Sequence, residues 1–289
     1  MRVLVIGNGF IGSVIAQRLF TEGHDLQTFS RSLKLGVCYK QSIGDLFKFE
    51  DLSNVLEWDP EVIIHTAWIT KRDVYRSDPV NSQYAKFTIA LAKYVAQSNV
   101  RQLIVLGTCA EYGDQKNPCV AGMTQLSPTT FYAEQKVISF RSVLRILEKS
   151  NVKFNWARIF YPYGPYQDSD RLIPFLINSL KDSKPIQLVD TNSIYDWVTT
   201  RDIASAISWM ISHDLPVEVD IGTSQGYTNL QVLAVLERVL QTKSSLGGGV
   251  LHEEKSMKNY VAGIESGLFT SGWTPQDSLV TGLKWVIAK

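Results

Sequence analysis

No apolar run in the 289 residues approaches the ~18 that a membrane-spanning helix needs, so no membrane partner is expected. Cysteine is sparse. Cys38, Cys109 and Cys119 stand far apart, are odd in number and form no CxxC pair. That argues against a disulfide framework and suits a compartment in which thiols stay reduced. Neither sign of charge is in excess: 29 basic and 28 acidic side chains leave a formal net charge of +1. No basic run could follow a phosphate backbone, so nucleic acid is not an expected partner. The opening MRVLVIGNGFIG sets an arginine before apolar residues, as a secretion signal does. Gly7, Asn8, Gly9 and Gly12 interrupt that stretch, however, and no small-residue cleavage site follows. A cytoplasmic protein without a metal centre is the expectation.

What the chain has is the balance of a packed globular protein, 45% hydrophobic and 20% charged, in a regular alternation of patterns. Apolar runs at 2–6 (RVLVI), 25–29, 62–65 (VIIH), 102–106 (QLIVL) and 154–160 predict strands. Apolar residues at helical spacing predict helices at 11–20, at 79–98 (Tyr84, Phe87, Leu91, Tyr94) and at 132–147. Strands separated by such helices pair parallel, because each return needs a crossover. The expected fold is therefore α/β, a doubly wound parallel sheet of the Rossmann kind. After residue 158 the rhythm changes: Pro162, Gly164, Pro165 and Pro174 break the chain and shorter elements follow. Helices are expected at 201–211 and 230–240, a strand at 217–221 and a flexible loop at 244–249 (SSLGGG). The expected division is a dinucleotide-binding domain over 1–160, to which the chain returns near 195–222, and a smaller, mainly substrate-binding lobe over 161–289.

The loop Gly7-Asn8-Gly9-Phe10-Ile11-Gly12 falls between the first strand and the first helix. Gly7 permits the tight turn, Gly9 lets a pyrophosphate approach the backbone, and Gly12 lets the helix pack close, its N-terminus facing the phosphates. At the end of the second strand an acidic residue would accept from the ribose hydroxyls of NAD. The chain has Ser30 and Arg31 there, and a planar cation with several donors suits a 2′-phosphate instead. NADP is therefore the expected cofactor, and NAD the less favoured one.

Tyr132 and Lys136 stand four residues apart, on one face of the predicted helix. A phenol can donate a proton to a carbonyl oxygen, and a nearby ammonium would bring its pKa down toward neutrality. These residues take their place in a longer series. The segments 7–12, 62–67 (VIIHTA) and 106–113 (LGTCAEYG) come first, then Tyr132 with Lys136 and Arg158 with Tyr163-Gly164-Pro165. Asp196-Trp197-Val198 and Gly272-Trp273-Thr274-Pro275 complete it. In that order they resemble the signatures of the extended short-chain dehydrogenases/reductases, the NAD-dependent epimerase/dehydratase family, over nearly the whole chain.

The resemblance implies that Thr108 hydrogen-bonds the substrate oxygen and that Tyr132 is the acid/base. Lys136 would bind the nicotinamide ribose while tuning the tyrosine. It places Asp45 and Leu46 at the adenine, and Thr66, Ala67 and Phe160 further along the cofactor. Cys109 and Tyr161 become candidate substrate contacts. The family often has arginine where this chain has Tyr195, to grip a nucleotide diphosphate, and Arg171 or Lys258 could supply that charge. A homodimer through the helices bearing Tyr84 and Tyr132 is implied as well.

Within the family, dehydratases carry acidic residues where this chain reads Thr108-Cys109-Ala110, so dehydration is not expected. Epimerising reductases carry a cysteine and a histidine where Ala110 and Tyr166 stand, and Cys109, one place away, is expected to point into the packing. The expected activity is NADPH-dependent reduction of a keto group, at C4, on a nucleotide-linked deoxysugar. A nucleotide-sugar 4-epimerase retaining NAD is the alternative. A non-catalytic NADP-binding sensor or scaffold is an alternative of another class, although such proteins typically lose the tyrosine or the lysine.

Overall fold

The computed structural model describes residues 1–72, 74–188, 190–245 and 258–289. Strand β1 (Arg2–Ile6) buries Val3, Leu4, Val5 and Ile6 completely, as a central parallel strand covered on both faces must. There follow α1 (Gly12–Thr21), β2 (Asp25–Ser30), β3 (Lys40–Ile43), α2 (Phe49–Leu56), β4 (Val62–His65), α3 (Asn81–Val95) and β5 (Gln102–Thr108). A short 3-10 turn, Cys109–Tyr112, leads on to α4 (Phe131–Leu147) and β6 (Lys153–Ile159). Beyond it come β7 (Tyr161–Tyr163), α5 (Leu172–Lys181), β8 (Ile194–Thr199), α6 (Thr200–Ser212), β9 (Glu218–Ile221) and β10 (Gly226–Tyr227). The chain ends with α7 (Asn229–Leu240), β11 (Asn259–Tyr260), α8 (Gly267–Thr270) and α9 (Leu279–Ile287).

Among the described residues, seven strands form one parallel sheet in the order β3-β2-β1-β4-β5-β6-β9. The winding reverses between β1 and β4, and the carboxyl ends of those two strands open the crevice where sheets of this kind take ligands. One face is covered by α1 and α6, through Ile15, Leu19, Ile203 and Ile207. The other is covered by α3 and α4, through Phe87, Leu91, Phe140 and Val143. A smaller sheet, β10-β8-β11 with β7 beside β8, carries its own apolar cluster with α5, α7 and α9. Asp196 of β8 accepts hydrogen bonds from the backbones of Thr223 (2.7 Å), Ser224 (2.9 Å) and Ala262 (3.2 Å). It thereby ties this sheet to the chain leaving β9.

The doubly wound parallel sheet is as expected, with three corrections. Strand β3 (KQSI) was not anticipated; it is an edge strand that pairs with β2 alone and has no reason to be apolar. Of the returning segment only β9 joins the large sheet, whereas β8 belongs to the small one. Pro174 does not break the chain: it lies in the first turn of α5, where a missing N–H costs no helical hydrogen bond. Of the expected loop at 244–249, Ser244 is fixed by its N–H and hydroxyl to Glu237 Oε1 (2.8 and 2.6 Å), while 246–249 lie outside the described residues. No described helix is long and apolar enough to cross a membrane.

Candidate active site

At the crevice, Gly7 adopts φ +101°, and a Cβ there would stand 2.6 Å from Thr66 Oγ1 and 2.7 Å from the Ala67 nitrogen. Only glycine lets the loop pass so close under the end of β4. The Thr66 hydroxyl donates to the Gly7 carbonyl (2.8 Å), locking the two strand ends together. A side chain on Gly12 would overlap that same carbonyl, so α1 begins hard against the loop. Gly9 is exposed, with nothing within 4 Å of where its Cβ would be. Together with the positive end of α1 behind it, this is a cradle that fits a pyrophosphate. Asn8 is oriented by Gln41 Oε1 (3.0 Å) and by the Tyr39 hydroxyl (3.1 Å). Phe10 is half-buried, and Ile11 packs against the core behind.

At the end of β2 the Ser30 hydroxyl donates to the Ser32 carbonyl (2.8 Å). Arg31 is exposed, with no hydrogen-bond or ion-pair partner among the described residues. A second cation, passed over in the sequence, stands nearby: the Lys34 ammonium donates to Ser13 Oγ (2.6 Å) in the first turn of α1. Gln41 holds the Lys34 backbone from both sides, accepting from its N–H (2.8 Å) and donating to its carbonyl (2.9 Å). Beyond β3, the Asp45 N–H donates to the Asp51 carboxylate (2.8 Å), and Leu46 is buried in the core that holds Phe29. Phe160 is 2% exposed and its ring packs 6.5 Å from Tyr112, so any cofactor contact there would come from its backbone.

The catalytic candidates come from two elements, α4 and β5. The Thr130 hydroxyl caps α4 by accepting from the Ala133 N–H (3.2 Å), which sets Tyr132 in the first turn and Lys136 one turn on. Thr108 ends β5, and its hydroxyl accepts from the Ala110 N–H (3.2 Å) on the side of the turn that faces Tyr132. The turn beneath it hangs on buried Glu111. That carboxylate accepts from the Thr108 N–H (2.8 Å), Trp156 Nε1 (3.0 Å) and Arg158 Nε (2.7 Å), and Arg158 Nη1 reaches Glu218 (2.7 Å). Gly107 is required here, because any side chain would run into the Trp156 indole nitrogen.

The electrostatics of the pair differ from the expectation. Burial pushes the Tyr132 phenol above its ordinary range, and the neighbouring Tyr75 adds to this, while Thr108 pulls the other way. Lys136 does not do the lowering in this structure, because its ammonium is engaged elsewhere. It donates to the Leu106 carbonyl (2.6 Å) and lies 3.8 Å from the centre of the Trp68 ring. Burial lowers Lys136 to about 7, opposed by Glu111.

Around this pair stand the groups that could meet a substrate. Cys109 is buried in the lobe core, and burial holds its thiol well above the usual range, so it stays protonated. Tyr161 packs 4.5 Å from Tyr195 and 5.8 Å from Tyr260. Arg171, at the start of α5, donates to the Thr70 carbonyl and lies 5.6 Å over Tyr75, so it spans the cleft. Lys258 is instead committed to Asp114 (2.8 Å), whose carboxylate also accepts from the Tyr260 hydroxyl (2.9 Å). Tyr75 and Arg76 were not foreseen. The Arg76 carbonyl accepts from the Tyr132 N–H (3.0 Å), and its guanidinium charge bears on Tyr161, Tyr195 and Tyr260. A large cavity of about 810 Å³, lined in part by Val62, Arg101, Gln102 and Lys153, lies at the amino ends of β4, β5 and β6. It is at the opposite end of the sheet from all of these groups.

Sheet, crevice and catalytic set together define a class, the extended short-chain dehydrogenases/reductases. The model of the NAD dependent epimerase/dehydratase family matches residues 3–222, and the chain belongs to that family. It is similar to a UDP-glucose 4-epimerase of Lactobacillus helveticus, at 24% identity over 99% of this chain and 97% of that one. It is also similar to a CDP-abequose synthase of Salmonella muenchen, at 18% identity over 99% and 97%. Among solved structures, the UDP-glucose 4-epimerase of Thermus thermophilus in complex with NAD superposes with a TM-score of 0.88. There the identity is 22%, over 100% of this chain and 98% of that one.

Proposed function

We propose that the protein reduces the C4 keto group of a nucleotide-linked deoxysugar with NADPH, Tyr132 giving the proton. One observation carries this reading. Beside Tyr132 and Thr108 the site offers Ala110, which can move no proton, and Cys109, whose thiol is buried and held protonated. Among the described residues, the site can therefore protonate a carbonyl oxygen but offers no base for the carbon next to it. A bound dinucleotide supplies the hydride. Gly7, Gly9, Gly12 and the start of α1 would hold its pyrophosphate, with Asn8, Phe10 and Ile11 alongside. Asp45 and Leu46 would meet the adenine, Thr66 and Ala67 the middle of the molecule, and Lys136 the nicotinamide ribose. Thr108 and Tyr132 direct their hydroxyls at the substrate oxygen, and the raised pKa keeps the phenol protonated until a ketone takes its proton. Arg171 and Arg76 are the cations placed for the diphosphate. A homodimer is proposed through α3 and α4, whose outer surface leaves Ile138 and Leu144 exposed.

The test is a panel of nucleotide-linked 4-keto-6-deoxyhexoses with NADPH, followed at the nicotinamide absorbance. A 4-epimerase, the reading favoured by the full-length likeness to the Lactobacillus helveticus enzyme, would instead invert C4 of a 4-hydroxy nucleotide sugar added in parallel, without net consumption of reduced cofactor. A sensor or scaffold would bind NADPH and turn nothing over. Run in deuterated water, the reductase should leave solvent deuterium only at exchangeable hydroxyls of the product. Enzyme-dependent deuterium at a carbon flanking the former ketone would reveal a second acid/base pair, with Cys109 the first suspect.

Cofactor choice is tested separately. Arg31→Asp should shift preference from NADPH toward NADH by one to two decades in affinity, from a charged hydrogen bond worth roughly 1.5–3 kcal/mol. The carboxylate repels a 2′-phosphate and accepts from ribose hydroxyls. Equal use of both cofactors by the unaltered protein would remove the argument before any variant was made.

A further inference from the structure

We propose that Trp68 is a positioning residue for the catalytic lysine, its indole face forming the seat that holds the Lys136 ammonium against the Leu106 carbonyl. The inference rests on the reading of Lys136 given above and adds a residue to that site.

The ammonium lies 3.8 Å from the Trp68 ring centre and donates to Leu106 O at 2.6 Å, while a second indole, Trp156, stands at 5.9 Å. Trp68 itself has little freedom. Its Nε1 donates to Asn81 Oδ1 (2.7 Å), and fully buried Asn81 is fixed in turn by donating to the carbonyls of Tyr75 (2.7 Å) and Asp78 (2.8 Å). Tyr84 stacks on the indole at 5.4 Å and 24°. Tyr132 meets it edge-on at 6.2 Å. One rigid indole therefore touches both members of the Tyr132–Lys136 pair.

A buried ammonium loses its water, and the Leu106 carbonyl replaces only one of its three donor contacts. The charged and titratable groups around it come from each neighbouring element. Glu111, from the turn after β5, favours the cation but is shared with Arg158 of β6, Trp156 and the Thr108 N–H. His65 of β4 is fully buried and held neutral, its pKa lowered to about 3 by burial and by Lys136. Tyr132 of α4 is itself protonated. Among the described residues, the negative face of an indole is what remains to stabilise the charge at short range, and such a contact is strongest where water is excluded. Trp68 thus keeps Lys136 cationic near neutrality and aims it past the catalytic tyrosine.

The experiment reads the lysine directly. Lysine side chains of the full-length protein are isotope-labelled, and the one buried signal that disappears in Lys136→Met is followed against pH by NMR. In Trp68→Leu its midpoint should fall by about one unit, a tenfold change in the protonation equilibrium, while Trp68→Phe should restore most of it. Fluorinated tryptophan, which keeps the shape and weakens the π face, should lower the midpoint stepwise with fluorine number, so the test survives a leucine variant that does not fold. Because the lysine must be charged to act, the fall of kcat with rising pH should move down by the same amount, with KM for the sugar little changed. An unmoved lysine midpoint, in the leucine variant or on fluorination, would overturn the proposal even if activity dropped. The NMR titration decides the role of Trp68 whether or not any nucleotide sugar is turned over, so the two readings fail independently.

Discussion

Tyr132→Phe should reduce turnover by about 10²–10⁴-fold, the usual contribution of a positioned general acid, while NADPH affinity stays within a factor of a few. The separation follows from the geometry. Phenylalanine keeps the ring that packs against Tyr75 at 5.1 Å and Trp68 at 6.2 Å, so the first turn of α4 and Lys136 stay in place. What goes is one hydroxyl, the one beside Thr108 and the proposed source of the proton. Single-turnover kinetics would show the loss in the chemical step, and fluorescence titration would show the retained cofactor. Retention of ordinary turnover would move the acid elsewhere and leave Tyr132 a structural aromatic.

Arg158→Met should destabilise the protein by about 3–5 kcal/mol, because it leaves a fully buried carboxylate without its cation. Arg158 is enclosed between the rings of Tyr112 and Phe140, each 5.1 Å from its guanidinium carbon, and binds Glu111 and Glu218 at 2.7 Å. Burial already raises Glu111 above the ordinary carboxylate range, and Arg158 is the largest influence restraining it. With the arginine gone, the folded state holds a proton on Glu111 that the unfolded chain releases. A raised folded pKa gives stability that is lost as pH rises, so the deficit should be smaller at about pH 5 than at about pH 8. Adding Glu111→Leu should recover part of the loss, since neither charge is then buried alone. Urea unfolding of the unaltered protein and of the single and double variants measures all of this, and a deficit under about 1 kcal/mol in the single variant would mean that Glu111 reaches water. Activity should suffer too, because Glu111 anchors the turn that presents Thr108.

How much of this could be read from the chain depends on how local each device is. The glycine loop was legible because its requirements, a positive φ at Gly7 and open space at Gly9, are met within six residues. Tyr132 and Lys136 were legible because helix geometry alone puts them on one face. The link drawn between them was not, since the ammonium turns to Leu106 and Trp68, partners from β5 and from the segment after β4. Arg76 was hidden for the same reason: a backbone contact with Tyr132 brings it to the site, and no spacing announces that. Strand β3 escaped because an edge strand paired on one side can be polar and short.

The position of β9 bears on how the molecule is made. The chain leaves the large sheet after β6, builds β7, α5, β8 and α6, and only then returns to lay β9 along β6 from Trp156 to Ile159. Asn155 Nδ2 waits for the Pro216 carbonyl (2.9 Å), and the Trp156 N–H for that of Val217 (2.7 Å). During synthesis, therefore, the nascent sheet carries an open strand edge until residue 221 has emerged from the ribosome. Helix α1 lacks the cover of α6 for much of the same interval. An open edge beside uncovered apolar surface is the state most prone to pairing with the wrong chain. The interval between the emergence of residue 160 and that of residue 221 is thus the stretch of synthesis in which that edge has no partner.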